Sequence, residues 1–211
     1  KRDALVLEAN SLKDTELRTY FQKQAHQEGL TFDKGVFEEL LVKSSFDFSD
    51  IQKNLAFLKG YKTEGNISSQ DIMEAIPKSL QDNIFDMTQL LLRGQIQDVR
   101  ELVHDLRLQG EDEIKLIAVM LGQFRTYLQV KLLSAQGKSE QQIVSSLSDY
   151  LSRKVNPFQV RYAIRDSRHL SVAFLKTTIK TLVETDYQIK TGTLDKDYLL
   201  DLALLKIASN S

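Results

Sequence analysis

Cysteine is absent from this sequence of 211 residues, and the turn-forming residues proline and glycine are scarce, at 2 and 9. Without cysteine, neither a disulfide framework nor a thiolate metal site is possible. Strand-rich folds need more turn residues than this, and the abundant residues favour helices. The sequence therefore predicts an all-α protein of a reducing compartment, for which we expect the cytoplasm.

Long apolar runs are absent too, as is a basic and apolar leader. No stretch of about 18 apolar residues occurs, so we expect neither a membrane-spanning helix nor a signal peptide. Apolar residues still make up 42% of the chain, which can supply a hydrophobic core. The formal net charge of −1 argues against general polyanion binding. These features predict a soluble protein with no membrane partner.

An apolar segment near the N-terminus, residues 4–7, has the pattern of a short buried strand. The sequence offers no evident second strand to pair with it, and a lone strand is not stable in water. The first residue is Lys1 rather than Met. We therefore interpret residues 1–9 as the tail of a preceding β-containing domain, with a short orphan strand or extended segment.

Apolar residues spaced three and four apart predict a small bundle of four helices, followed by a larger bundle. The predicted N-terminal caps of the first four helices are Ser11, Asp33, either Asp47 or Ser49, and Ser68. Pro77 and the polar residues 78–83 mark a boundary, which predicts domains at 10–77 and 78–211. The helices predicted in the second domain cover residues 84–93, 96–108, 111–135, 139–147, 157–168, 171–190 and 195–208.

Residue patterns that carry catalysis or bind cofactors are not found in the sequence. The three histidines, His26, His104 and His169, have no metal-binding spacing. Acidic pairs such as Glu38 and Glu39 fit helix starts, where they complement the helix dipole. No glycine-rich loop ending in Lys and Ser or Thr is available to hold phosphate. We therefore predict no catalytic residue, no cofactor and no metal.

A row of basic residues is the most suggestive surface feature. Arg161, Arg165 and Arg168 are spaced four and three apart, so they line one face of a helix. Such a row can contact nucleic-acid phosphates or a partner, or it can be a solvated face paired with neighbouring carboxylates. Residues 139–168 also resemble a helix-turn-helix, although the predicted connection at 148–156 exceeds the usual turn. This gives an alternative function, a helix-turn-helix-like DNA-binding regulator.

Several sequence patches, in order along the chain, carry a family resemblance. They are Asp82-Asn83-Ile84-Phe85-Asp86, Leu90-Leu91-Leu92-Arg93-Gly94, Ile117 to Arg125, Leu128 to Lys131, Arg165 to Ser171, and Asp186 to Gly192. Together they resemble the delta subunit of the bacterial DNA polymerase III clamp loader, from about residue 7 to residue 207.

The resemblance implies a three-domain protein of the AAA+ class, of which residues 10–77 are the helical lid and residues 78–211 the collar. It implies a non-catalytic subunit that acts in DNA replication, where the loader places the sliding clamp on primed DNA. The collar is expected to bind the delta-prime and tau/gamma subunits, with primer-template DNA nearby in the assembled complex. Contact with the sliding clamp is expected only through the domain that precedes the lid.

The resemblance also bears on nucleotide and partner contacts. In ATP-hydrolysing relatives, an arginine at the start of the third lid helix reaches the phosphates, and here the aligned residue is Ser49. The implied protein is therefore not an ATPase. Basic candidates for nucleic-acid or partner contact are Arg161, Arg165, Arg168 and Lys190, and aromatic candidates for a collar interface are Phe158, Tyr162, Tyr187 and Tyr198. An ordinary core position is an equally good interpretation of each aromatic residue.

Overall fold

The computed structural model describes residues 13–44, 46–152, 155–192 and 194–210. Within them lie eleven helices and two short strands. The bounds are α1 Asp14–Gln27, β1 Leu30–Phe32, α2 Val36–Lys43, α3 Phe48–Tyr61, β2 Gly65–Ile67, α4 Ser69–Ala75, α5 Leu80–Leu92, α6 Ile96–Leu108, α7 Glu113–Ala135, α8 Glu140–Leu151, α9 Pro157–Ser167, α10 Val172–Lys190 and α11 Lys196–Ala208. The all-α prediction is confirmed. The predicted strand at 4–7 and the predicted cap Ser11 lie outside the described residues.

The chain divides into two compact units, one up to Pro77 and one from Lys78 onward. In the first unit, α1 to α4 enclose a core of large apolar side chains. Its fully buried members include Phe21, Leu40, Leu41, Ile51 and Leu58. At about 25 cal/mol per Å² of buried apolar surface, such side chains stabilise the fold by roughly 1.5–3 kcal/mol each, which allows a small bundle to fold.

A two-stranded parallel sheet lies in the first unit. Strand β1 pairs with β2 in a register that places Leu30 opposite Gly65 and Phe32 opposite Ile67. The expectation that the chain has no pair of strands is therefore wrong. Each strand is three residues long, too short for an alternating pattern to be recognised, and two helices separate them in sequence.

Two of the four predicted caps of the first unit are confirmed. The Asp47 carboxylate accepts a hydrogen bond from the Asp50 backbone at 3.0 Å, and Ser68 caps α4. The prediction that Asp33 caps α2 is wrong, because Gly35 occupies that position with φ of 87°. The Asp33 carboxylate instead accepts from the Asn66 amide at 2.5 Å. Asp33 therefore ties the end of β1 to β2.

The second unit is built around α7, which packs against α5, α9 and α10. Because helices surround it, α7 is apolar on more than one side. Its buried residues are Glu113, Leu116, Ile117, Met120, Phe124, Tyr127 and Val130. Helix α7 is therefore the element on which the other helices of this unit are arranged.

The predicted helix bounds of the second unit hold best where glycine ends a helix. Gly94, Gly110, Gly137 and Gly192 all have positive φ just after a helix. Two predicted helix bounds, the start of α5 and the end of α8, are wrong. Helix α5 begins at Leu80 because Ser79 and Asp82 form a reciprocal cap within the polar stretch. Helix α8 continues to Leu151, where Ser152 adopts the left-handed conformation without a glycine to announce it.

None of the described helices is both long enough and apolar enough to cross a lipid bilayer.

Candidate functional site

The predicted contact residues fall on two surfaces of the second unit. We call the first the α9 surface, which consists of Arg161, Tyr162, Arg165 and Arg168. We call the second the α10–α11 surface, which consists of Val183, Tyr187, Leu194, Tyr198 and Leu205. Phe158 belongs to α9, but its side chain lies outside what the structure describes.

Arg161 on the α9 surface is paired with a carboxylate of the neighbouring helix. Its Nη2 and Nε atoms donate to Glu140 Oε1 at 2.9 Å and 3.1 Å. The hydrogen bonds and the charge of Glu140 raise the pKa of Arg161. Glu140 is in the first turn of α8, so this pair joins α8 to α9 and neutralises the arginine.

Arg165 is held by its neighbours on α9. Its Nε donates to Asp166 Oδ1 at 2.8 Å, and its guanidinium carbon lies 5.0 Å from the centre of the Tyr162 ring. The hydrogen bond to Asp166 raises the pKa of Arg165. Tyr162 is exposed, so the interpretation of this residue as a core aromatic is wrong. The surface thus presents an ordered guanidinium lying over an aromatic ring.

The end of α9 is fixed by Lys131 of α7. The Lys131 ammonium donates to the backbone carbonyls of Ser167 and Arg168 at 3.1 Å and 2.7 Å. These carbonyls have no partner within the helix, so a cation there caps it. Within the described parts of the chain, no carboxylate lies within ion-pair distance of the Arg168 guanidinium.

The charge pairing bears on the two interpretations of the arginine row. Contact with nucleic-acid phosphates needs cations that are free to neutralise them. Two of the three arginines, Arg161 and Arg165, are neutralised within the chain. Lys190 is likewise paired, with Asp186 on its own helix at 2.8 Å. The geometry therefore favours a paired, ordered protein surface over a row that contacts DNA.

The α10–α11 surface is apolar and open to solvent. Tyr187, Leu194 and Tyr198 are 69%, 57% and 56% exposed. Tyr187 lies near the end of α10 and Tyr198 near the start of α11, so the three residues flank one turn. A core position is therefore wrong for both tyrosines. Exposed apolar side chains on two contacting helices are typical of an interaction surface.

Helix α11 carries apolar residues on its exposed side as well as on its buried side. Leu199, Leu200, Ala203, Leu204 and Ile207 are buried, whereas Tyr198 and Leu205 are exposed. Apolar residues of an amphipathic helix normally face the core, so those on the exposed side of α11 are available to a partner. Sequence reasoning missed Leu205, although the excess of apolar residues in α11 was a visible signal for it, and it also missed Leu194, which precedes the helix.

A cluster of charged residues fixes the start of α11, and we call it the charge cluster: Arg107, Asp112, Glu113, Lys196 and Asp197. Glu113 is 3% exposed. Its carboxylate accepts from Arg107 Nε at 2.9 Å and lies 2.7 Å from Lys196 Nζ. Lys196 also donates to Asp112 at 2.6 Å. The cluster joins the end of α6 and the start of α7 to the first turn of α11.

The electrostatics of the charge cluster follow from these contacts. Burial acts to raise the pKa of Glu113, but hydrogen bonds from Lys196 and Arg107 outweigh it and lower the pKa to about 2. Hydrogen bonds to Asp112 and Glu113 raise the pKa of Lys196. The hydrogen bond with Glu113 raises the pKa of Asp197. Glu113 is therefore an ionised structural anchor rather than a proton donor.

The three histidines lie on separate elements, with His26 on α1, His104 on α6 and His169 after α9. Among the described residues, no group of three or more histidine and acidic side chains is arranged to hold a metal ion.

The second unit matches a known protein family. A family model described as the C-terminal domain of the DNA polymerase III delta subunit matches residues 81–207. The chain belongs to the DNA polymerase III delta subunit family. The match covers α5 to α11 almost completely, including both surfaces and the charge cluster.

Two Bacillus subtilis proteins extend the likeness to the first unit. The chain is 32% identical to DNA polymerase III subunit delta of strain 168, over 98% of this chain and 58% of that protein. It is similar to the solved structure of the B. subtilis DNA clamp loader delta protein, with 31% identity and a TM-score of 0.74, over 99% of this chain and 60% of that one. The chain thus spans about three fifths of the length of these delta subunits.

Membership of the delta family confirms the resemblance derived from the sequence patches. The alternative of a helix-turn-helix-like DNA-binding regulator is wrong. In the structure, α9 is joined to α8 by the Arg161–Glu140 pair and to α7 by Lys131, as part of the family's helical unit.

Proposed function

We propose that this chain is a non-catalytic part of a clamp loader, with the first unit as its AAA+-type lid and the second as its collar. In this role it assembles in the cytoplasm with the delta-prime and tau/gamma subunits, and the assembled loader places the sliding clamp on primed DNA. The observation that carries the proposal is the uncovered apolar side of α11, which lies within the segment that the delta family model matches.

The α10–α11 surface supports a collar role because it fits a protein partner. Exposed tyrosines such as Tyr187 and Tyr198 supply large contact areas at a small cost in conformational entropy, and residues of this kind dominate protein interfaces. The neighbouring basic residues Lys190 and Lys196 are paired within the chain. We propose that a helix of an adjacent loader subunit covers this surface.

The absence of an arginine at the start of α3 supports a lid that does not hydrolyse ATP. Ser49 is exposed in the first turn of α3, and no arginine occurs in the sequence from Lys43 to Lys59. A serine cannot supply positive charge to a γ-phosphate.

Two further partners are part of the proposal. Primer-template DNA lies near the collar in the assembled loader, but the α9 surface does not hold it, because Arg161 and Arg165 are already paired. The sliding clamp is bound through the domain that precedes the lid rather than by these two units.

A binding experiment with purified subunits tests the collar role. We expect this chain to bind delta-prime and tau/gamma of its own organism in size-exclusion chromatography and calorimetry. Replacement of Tyr187 and Tyr198 by serine is expected to weaken binding by at least tenfold, as for central aromatic anchors. The matched control is Tyr20→Ser, which changes an exposed tyrosine of the first unit. Unchanged affinity of the double variant, or a tight complex of this chain with the clamp, contradicts the proposal.

A further inference from the structure

We propose that Asp166 is a positioning residue, which holds Arg165 over Tyr162 so that the pair forms a ready-made contact for a carboxylate of a partner subunit. The proposal rests on the collar role, because it needs the second unit to bind another loader subunit. It assigns a function to a second surface, separate from the α10–α11 surface.

The contrast in exposure between Asp166 and Arg165 is the first step. The Asp166 side chain is 6% exposed, whereas that of Arg165 is 62% exposed. The almost buried Asp166 carboxylate therefore accepts a hydrogen bond from Nε of the exposed Arg165, at 2.8 Å. The Tyr162 ring supports the face of the same guanidinium at 5.0 Å. A side chain held at two points has lost most of its rotamer freedom before any partner arrives.

A chain of polar side chains on α5 and α7 lies close enough to Asp166 to feel its charge. Thr88 of α5 donates to Gln123 of α7 at 3.1 Å, and Gln123 donates to the Tyr127 hydroxyl at 2.7 Å. Burial and the nearby negative charge of Asp166 raise the pKa of Tyr127 to about 12. Asp166 therefore acts on Tyr127 through its charge, while its Oδ2 atom is buried without a hydrogen-bond partner among the described residues.

The remaining donors of Arg165 indicate the chemistry of the partner. In the described residues, no acceptor is bonded to its terminal nitrogens Nη1 and Nη2. These nitrogens form a planar fork that matches a carboxylate in two parallel hydrogen bonds. Because the charge of Arg165 is already balanced by Asp166, this side chain offers directed hydrogen bonds rather than the net positive charge that a phosphate backbone attracts. An aspartate or glutamate of a folded partner is therefore the fitting ligand.

Ordering of the Arg165 side chain before binding should have a measurable effect on affinity. Fixing one flexible side chain before binding improves affinity by roughly two- to tenfold. Asp166→Asn keeps the shape and one acceptor but removes the charge that orients Arg165. If Asp166 acts through Arg165, its replacement has no further effect once Arg165 is methionine. A purely structural aspartate gives losses that add.

The experiment measures calorimetric affinity of this chain for delta-prime and tau/gamma. We expect Asp166→Asn to weaken binding two- to tenfold, Arg165→Met to weaken it more, and the double variant to equal Arg165→Met. Glu184→Gln is the matched control, because it removes one carboxylate from an exposed ion pair on α10. Additive losses, or wild-type affinity of Asp166→Asn, overturn the proposal.

A second variant covers the case in which Asp166→Asn does not fold. Arg165→Lys changes an exposed side chain, keeps its charge and removes both Nε and the fork, so the fold remains while the contact is lost. Wild-type binding by Arg165→Lys overturns the positioning role. If the unaltered chain does not bind, both the collar role and this inference are overturned. If the unaltered chain binds and the α9 variants lose affinity as expected, the result supports this inference.

Discussion

Arg107 Nε donates to Glu113 Oε1 at 2.9 Å, across the turn between α6 and α7. The same arginine lies 3.7 Å from both Asp197 and Asp201 of α11, so a single guanidinium connects three helices. The first exposed apolar residue of α11 is Tyr198, which follows Asp197 directly. The charge cluster therefore sets the position from which the proposed partner surface is presented.

Replacement of Glu113 by glutamine is expected to destabilise the second unit. The amide cannot balance Arg107 and Lys196, and removing one partner of a buried pair leaves uncompensated charge. Because Arg107 and Lys196 retain access to water, we expect a loss of about 1–3 kcal/mol in the free energy of unfolding. Urea unfolding measures this loss, with Glu184→Gln as the exposed control. Equal stability of the two variants contradicts an anchoring role for Glu113.

Acid is expected to weaken the second unit through Glu113. Its pKa is lowered from the ordinary 4.5 to about 2 in the folded chain. A lowered pKa means that the stabilisation is complete above pH 4.5 and is lost as the pH falls towards 2. The pKa of Asp197 is raised, so protonation of Asp197 in acid favours the folded chain and makes the loss of stability smaller. Between pH 7 and pH 3, urea unfolding should show a larger decrease in the free energy of unfolding for the unaltered chain than for Glu113→Gln. Equal decreases for the two proteins refute the role of Glu113 in acid sensitivity.

Duplex DNA binding is expected to be weak and to respond to release of Arg161. Glu140→Gln removes a negative charge that balances this arginine, so affinity for a random duplex should rise and the dependence on salt should steepen by up to about one phosphate contact. Arg161→Ala combined with Glu140→Gln should return both quantities to their starting values. Fluorescence anisotropy across salt concentrations measures this. A fall in affinity on Glu140→Gln indicates that the α9 surface binds DNA in its paired state.

The sequence predicted the parts of the fold that have strong local signals. The bounds of α6 were correct because Gly94 and Gly110 flank a regular apolar pattern. The strand pair was missed because three residues carry no usable periodicity, and the register of β1 with β2 is a non-local property. The burial of Asp166 was also missed, since spacing alone does not distinguish an inward carboxylate from the exposed arginines beside it.

The candidate surfaces were predicted only in part. The choice of Tyr187 and Tyr198 was correct as to exposure, but sequence spacing could not decide between a core and a surface position for either. That decision depends on which sides of α10 and α11 the rest of the unit covers. The pairing of Arg161 with Glu140 joins residues 21 positions apart, on helices whose packing is set by the whole core.

Neighbouring leucines on α11 offer the sharpest separation of stability from assembly. Leu204 is buried and Leu205 is 43% exposed, so the same substitution can be made at a buried and at an exposed position of one helix. Leu204→Ser is expected to destabilise the unit by about 2–5 kcal/mol, because it leaves a cavity and a buried hydroxyl. Leu205→Ser should change stability by less than about 0.5 kcal/mol, as surface substitutions generally do. In calorimetry with delta-prime and tau/gamma, however, Leu205→Ser should lose affinity if an adjacent subunit covers α11. Thermal unfolding measured on the same samples separates the two effects, and a Leu205→Ser variant that is both stable and fully competent to bind refutes the assignment of this helix to the interface.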